Sequence, residues 1–145
     1  MKKENQIKVE IIKSWEPNAI VDLYRSGGWW KEGMDPTRLG ELIKRSFLFA
    51  VAIDISTGKA IGMGRVISDG IADAYIQDLV VLKEWNEMGV GKMILSSLLE
   101  ECQSQEIAWI GLIAQPGTDK FYQSSGFSPM KGHVPMLFSP ETKKC

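Results

Sequence analysis

Apolar and polar positions alternate near the start of the chain, where Lys8 and Glu10 separate Ile7, Val9 and Ile11, and this period of two predicts a half-buried strand. The period then lengthens. Pro17 stands where a first helical residue is tolerated, and Ile20, Val21, Leu23 and Tyr24 recur at helical spacing until Gly27 and Gly28 break the pattern. A second start at Asp35 and Pro36 leads into Leu39, Leu42 and Ile43 and ends at Ser46. Two β-rich runs, 47–55 and 61–67, lie on either side of the polar cluster Ser56, Thr57, Gly58 and Lys59, and predict a hairpin. The run 74–82 ends in unbroken apolar residues, which predicts a central strand buried on both faces. From Gly89 onward Val90, Ile94, Leu95, Leu98, Leu99 and Cys102 form the wide stripe of a helix that packs on the sheet. A strand over 109–114, a short helix over 118–124 stopped by Gly126, and a closing strand over 134–138 complete the order.

The result is a mixed α/β pattern without repeat, low-complexity tract or linker, so the expectation is a single domain over residues 1–145. That length suffices to bury a core without metal or disulfide support. Lys and Arg number 17 against 18 Asp and Glu, which leaves no basic stripe to neutralise phosphates and argues against a nucleic-acid partner. The apolar runs are too short to cross a bilayer, and the opening MKKENQ leads into no apolar leader, so a cytoplasmic protein with no membrane partner is expected. Cys102 falls on a helical stripe and Cys145 is the last residue, an arrangement that forms no disulfide framework. With His133 the single histidine, placed beside Gly132 in a loop, the chain offers no ligand set for a metal.

Chemistry enters with the strand–loop–helix stretch from Asp78 to Lys92. Gly89 and Gly91 leave the backbone N–H groups of a helix start open to close approach by an anion, which the positive end of the helix dipole favours. By itself such a pair of glycines is as compatible with a tight turn. A P-loop would need Gly in place of Asn86 and Ser or Thr in place of Met93. A dinucleotide fingerprint would need Gly or Ala in place of Ile94.

The same residues resemble the acyl-CoA-binding pattern of the GNAT superfamily, Gln/Arg-x-x-Gly-x-Gly/Ala opening a helix directly after a Leu-x-Val strand. Leu79 and Val81 take the strand positions and Gly89 and Gly91 the glycine positions, while Asn86 stands where the family usually has Gln or Arg. A second segment, Phe121-Tyr122-Gln123-Ser124-Ser125-Gly126-Phe127, is similar to the Tyr-x-x-x-Gly-Phe stretch near the end of GNAT domains, and Gln115 occupies a place where many members carry Asn. The resemblance covers the whole chain and implies a central mixed sheet flanked by helices, in the manner of small-amine rather than histone acetyltransferases. It further implies acetyl-CoA as cosubstrate, held by Leu79, Val80, Val81, Asn86, Glu87, Met88, Gly89, Val90, Gly91, Lys92, Gln115 and Tyr122. Glu87 adds a negative charge near the pyrophosphate, which Lys92 offsets in part.

In that family the strand carrying Leu79 and Val81 splays from its neighbour, so backbone N–H near Val81 can polarise the thioester carbonyl. The resemblance makes Tyr122 the general acid for the departing thiolate, the other reading being a packed ring. Strand alternation places Tyr75, Gln77 and Leu79 on one face and Ile76 and Asp78 on the other. Other members place a Glu or His base at the positions of Tyr75 and Gln77, neither of which is a base at neutral pH. Asp78 therefore has two readings: a base acting through water or a local bulge, or a buried partner of Arg65. Trp29 and Trp30, with Tyr75 and Gln77, are candidates to bind a small-molecule amine; for the two Trp, core packing or a homodimer contact stands beside that. A non-catalytic acyl-CoA sensor is the rival to the enzyme.

Overall fold

The computed structural model describes residues 6–140, so Cys145 lies outside the described residues. The strands are β1 (Ile7–Ile11), β2 (Leu48–Asp54), β3 (Lys59–Ser68), β4 (Asp73–Val81) and β5 (Trp109–Leu112). The helices are α1 (Pro17–Ser26), α2 (Leu39–Arg45), α3 (Val90–Ser104) and α4 (Asp119–Gln123), with 3₁₀ turns at Pro36–Arg38 and Lys83–Trp85. The strands form one sheet in the order β1-β2-β3-β4-β5, antiparallel throughout except for the parallel β4–β5 pair. This is the expected mixed α/β sheet. The chain divides into two compact units, Met1–Leu112 and Ile113–Cys145.

Local chemistry sets the element ends. Glu16 accepts from the N–H groups of Asn18 and Ala19 and so caps α1, while Pro17 supplies a first residue that needs no amide partner. Asp54 closes the β2–β3 turn, accepting from the Ser56 amide and from the hydroxyls of Ser56 and Thr57.

The sheet buries both faces. On one, Ile20, Leu23 and Tyr24 of α1 and Ile43 of α2 pack with Phe49, Val51 and Met63. On the other, α3 lies so close to β3 that a Cβ at Gly62 would stand 2.9 Å from Ile94, and one at Gly64 3.0 Å from Ile94 and 3.2 Å from Leu98. Small residues at alternate positions of β3 thus let α3 approach the strand. Val90, Ile94, Leu95, Leu98 and Cys102 are buried as the stripe predicts.

Three expectations are corrected. The strand buried on both faces is β2, not β4; Leu79, Val80 and Val81 are only half-buried because β5 pairs no further along β4 than Ile76. The strand expected over 109–114 accordingly stops at Leu112. No strand forms over 134–138, where Val134, Met136, Leu137 and Phe138 are mostly exposed. Pro135 removes a ladder donor from that run, which limits its pairing in a sheet.

Candidate functional site

β4 carries a bulge near its C-terminal end. Arg65 lies opposite Gln77 and Met63 opposite Val80, so the single residue Gly64 faces both Asp78 and Leu79. Asp78 absorbs the extra residue with φ of 58°, in the left-handed region that side chains rarely occupy. The bulge overturns the simple alternation expected for this strand. Gln77 shares a face with its cross-strand partner Arg65, and Asp78 bonds to that same Arg65 and to Tyr24 of α1, so both lie on the α1 face. Leu79 turns instead toward α3, where its Cδ1 is 3.1 Å from the Cβ position of Gly64.

Asp78 is well partnered. Its Oδ2 accepts from Arg65 Nε at 2.6 Å and from the Tyr24 hydroxyl at 2.7 Å, and both partners of the ion pair are largely shielded. The pairing with Arg65 is one of the two readings the sequence left open. Tyr24, which the sequence shows only as part of an apolar stripe, is held well above the usual phenol range, first by burial and then by its hydrogen bond to the Asp78 carboxylate. The Arg65 guanidinium also reaches the Ser46 hydroxyl at 3.4 Å. A signal for this network was present in the sequence: Arg65 is the one charge inside the otherwise apolar run Ile61–Ile67.

Beyond Ile76 the edge of β4 that faced β5 has no strand partner among the described residues. The Leu82 amide donates to Ile61 on β3 at 2.8 Å, so by alternation the Val81 amide points away from β3, toward that open edge. The Lys83–Trp85 turn follows, then Asn86 and Glu87, both exposed, and half-buried Met88. Gly89 precedes α3 at φ of 78° and provides no side-chain cap; the first helical bond runs from the Met93 amide to Gly89. The amides of Val90, Gly91 and Lys92 therefore open the helix uncapped, a donor set that fits the pyrophosphate of a coenzyme A.

Around the α1–α2 loop, Trp29 and Trp30 are half-buried against the α1-side core. Trp29 meets Tyr24 edge-on at 6.2 Å and covers Gly27, where a Cβ would collide with its ring. Tyr75 is half-exposed and lies 5.0 Å from the ring of Trp109, a neighbour the sequence did not suggest. Among the described residues no group of three or more His, Cys, Asp or Glu could hold a metal ion, and no helix is long and apolar enough to cross a membrane.

In the second unit Gln115 is exposed, and its carbonyl accepts from Thr118 just before α4. Tyr122 sits on α4 between the rings of Phe121 and Phe127, at 5.0 and 5.9 Å, and burial raises its phenol above the ordinary value. Gly126 turns the chain at φ of 100°, and the Phe127 amide then bonds back to the Tyr122 carbonyl. Tyr122 and Phe127 are thereby locked together, although Phe127 begins no strand.

Comparison with known proteins adds the family. Residues 14–134 match the family model of the acetyltransferase (GNAT) domain. GCN5-related N-acetyltransferase 3, chloroplastic, of Arabidopsis thaliana is 29% identical over 130 residues, 89% of this chain and 53% of the relative. The uncharacterized N-acetyltransferase ycf52 of Pyropia yezoensis is 26% identical over 116 residues, 76% of this chain and 67% of its own. The chain thus spans about half of the first relative's length and about two thirds of the second's. A GNAT-family acetyltransferase from Streptococcus pneumoniae has the same fold, with a TM-score of 0.77 at 22% identity over 92% of this chain and 97% of that one. The chain belongs to the GNAT acetyltransferases.

Proposed function

We propose that this protein is an N-acetyltransferase that uses acetyl-CoA to acetylate the primary amine of a small molecule by direct transfer in a ternary complex. The observation that carries the reading is the junction of β4 and α3: an open strand edge with the Val81 amide turned toward it, followed by an uncapped helix start. Acetyl-CoA supplies an acyl group activated as a thioester. The amides of Val90, Gly91 and Lys92 hold its pyrophosphate, with Asn86, Glu87, Met88 and Gly89 forming the approach. The free edge of Leu79, Val80 and Val81 pairs with the pantetheine amides as an added strand would. The Val81 amide then polarises the acyl carbonyl.

By its resemblance to the family segment, Tyr122 is the residue that holds the proton destined for the leaving sulfur; a phenol is protonated at neutral pH, and burial only raises it further. Trp29, Trp30, Tyr75 and Gln77 wall the acceptor side and suit an amine with an apolar or aromatic body. Cys102 is buried on α3 and its thiol is pushed up by burial, which disfavours an acyl-cysteine route.

The deciding experiment follows thiol release from acetyl-CoA across a panel of primary amines. Amine-dependent release supports the enzyme. Binding of CoA without release for any amine would leave the sensor reading in its place.

A further inference from the structure

We propose that Asp78 is a positioning residue whose carboxylate, bonded to Arg65 and Tyr24, locks the bulge of β4 and so sets which backbone amides face the acyl donor. The inference rests on the acetyltransferase reading and gives that site a part its motifs do not contain.

A residue with a Cβ in the left-handed region is disfavoured by roughly 1–2 kcal/mol, a cost that aspartate bears more readily than most residues but that partners of its side chain offset. Two donors on one carboxylate oxygen, one of them a guanidinium, are those partners. The anchor reaches further. Arg65 bonds to Ser46, whose hydroxyl donates to the Leu42 carbonyl at the end of α2, so α1, α2 and β3 all converge on the bulge.

Bulges change parity. With the extra residue in place, Val80 and Leu82 pack on the α1-side core, the Leu82 amide joins the β3 ladder, and the Val81 amide faces the open edge. A strand that lost the bulge would slip by one position, exchanging the amides that face β3 with those that face the edge. The Tyr24 and Arg65 donors already engage Asp78 Oδ2, an arrangement suited to fixing backbone direction. Trp29 lies against Tyr24, so the anchor also joins the acceptor-side loop to the strand.

The test compares Asp78→Asn and Asp78→Ala in the full chain by backbone amide exchange over residues 79–82 and by kcat, KM and pH profile. The Asn side chain keeps an acceptor oxygen. Asp78→Asn should retain slow exchange, most of kcat and the wild-type acid limb. Asp78→Ala should speed exchange at Val80 and Leu82 by roughly tenfold or more. It should also lower kcat by roughly a hundredfold, with the smaller change in KM for acetyl-CoA. If Ala does not fold, Tyr24→Phe replaces it, removing one of the two donors on the carboxylate while leaving the strained backbone angle of Asp78 in place, and should speed the same exchange to a smaller degree. Loss of activity in Asn equal to that in Ala, with exchange unchanged in both, would overturn the proposal in favour of a base. The exchange measurement needs no substrate, so it judges the anchor even where no amine is turned over and the acetyltransferase reading itself fails.

Discussion

Tyr24 and Asp78 meet across 2.7 Å although they stand 54 residues apart, and the contact joins α1 to the bulge beside the proposed acyl site. The Tyr24 ring is buried and its hydroxyl has a charged acceptor. Tyr24→Phe removes that hydroxyl while leaving the ring, and should cost about 1.5–3 kcal/mol, the range for hydrogen bonds to charged groups. Urea unfolding at neutral pH, read as a lower midpoint with an unchanged slope, checks it.

The same residue gives the protein an alkaline sensitivity. Burial, and then the Asp78 carboxylate, hold the Tyr24 phenol above its ordinary value of 10.0. A folded-state pKa raised above the unfolded value contributes stability that is present below the unfolded pKa and is lost as pH rises beyond it, because the unfolded chain ionises first. Wild-type stability should therefore decline from about pH 10 upward. In Tyr24→Phe this decline should be shallower, a difference measurable by denaturation at stepped alkaline pH. Equal slopes for the two proteins would count against the buried phenol as its source.

Gly64 faces the bulge and also lies under α3, so its lack of a side chain serves both. A Cβ there would stand 3.0 Å from Ile94, 3.1 Å from Leu79 and 3.2 Å from Leu98, so three side chains would have to give way together. Gly64→Val should destabilise by about 1–3 kcal/mol through overpacking. Thermal unfolding should show the loss, and paired substitution of Leu98 by Ala should recover part of it, since the two positions are in contact.

The elements whose side chains repeat with one period were legible from the chain alone. Ile20, Leu23 and Tyr24 on α1 and Ile94 and Leu98 on α3 point into the core where their spacing says they should. The bulge was not legible in this way, because period-two reading assumes that every residue advances the strand by one step. Asp78 breaks that assumption with a backbone angle fixed by Arg65 and Tyr24, partners remote in sequence. The run 134–138 misled for a different reason: its apolar residues suggested burial, but Pro135 removes a ladder donor, and Val134 and Leu137 are exposed. Gly89 and Gly91 marked the start of α3, while the open edge of β4 depended on how far β5 extends, which the sequence overestimated.

Coenzyme A should protect the folded protein, since a ligand bound only to the native state stabilises it by about 2.7 kcal/mol at a hundredfold excess over Kd. For a chain of this size that corresponds to a rise in Tm of roughly 5–10 °C. Gly91→Glu puts a carboxylate among the uncapped amides of Val90, Gly91 and Lys92, where it would repel the pyrophosphate and compete for its donors. The shift should vanish in that variant while its Tm without ligand stays near wild type, as the positive end of a helix dipole favours a carboxylate in the first turn. An undiminished shift would remove the start of α3 from the site.

Tyr122→Phe separates packing from proton donation. The ring stays wedged between Phe121 and Phe127, so the edge-on contacts at 5.0 and 5.9 Å survive and folding should change little. Only the hydroxyl is lost. If that hydroxyl protonates the leaving thiolate, kcat should fall by roughly 10²-fold or more, the scale of a missing general acid, while the CoA-induced rise in Tm persists. If it merely helps seat the sulfur, KM for acetyl-CoA should rise with little change in kcat. The two outcomes also differ with leaving-group basicity, because a thiolate of low basicity departs without an acid. An acyl donor with such a leaving group should therefore restore turnover in Tyr122→Phe toward the wild-type rate, whereas a seating defect would persist. A variant with wild-type turnover at saturating acetyl-CoA and amine would leave Tyr122 as a packing residue and the donor of the proton to be sought elsewhere.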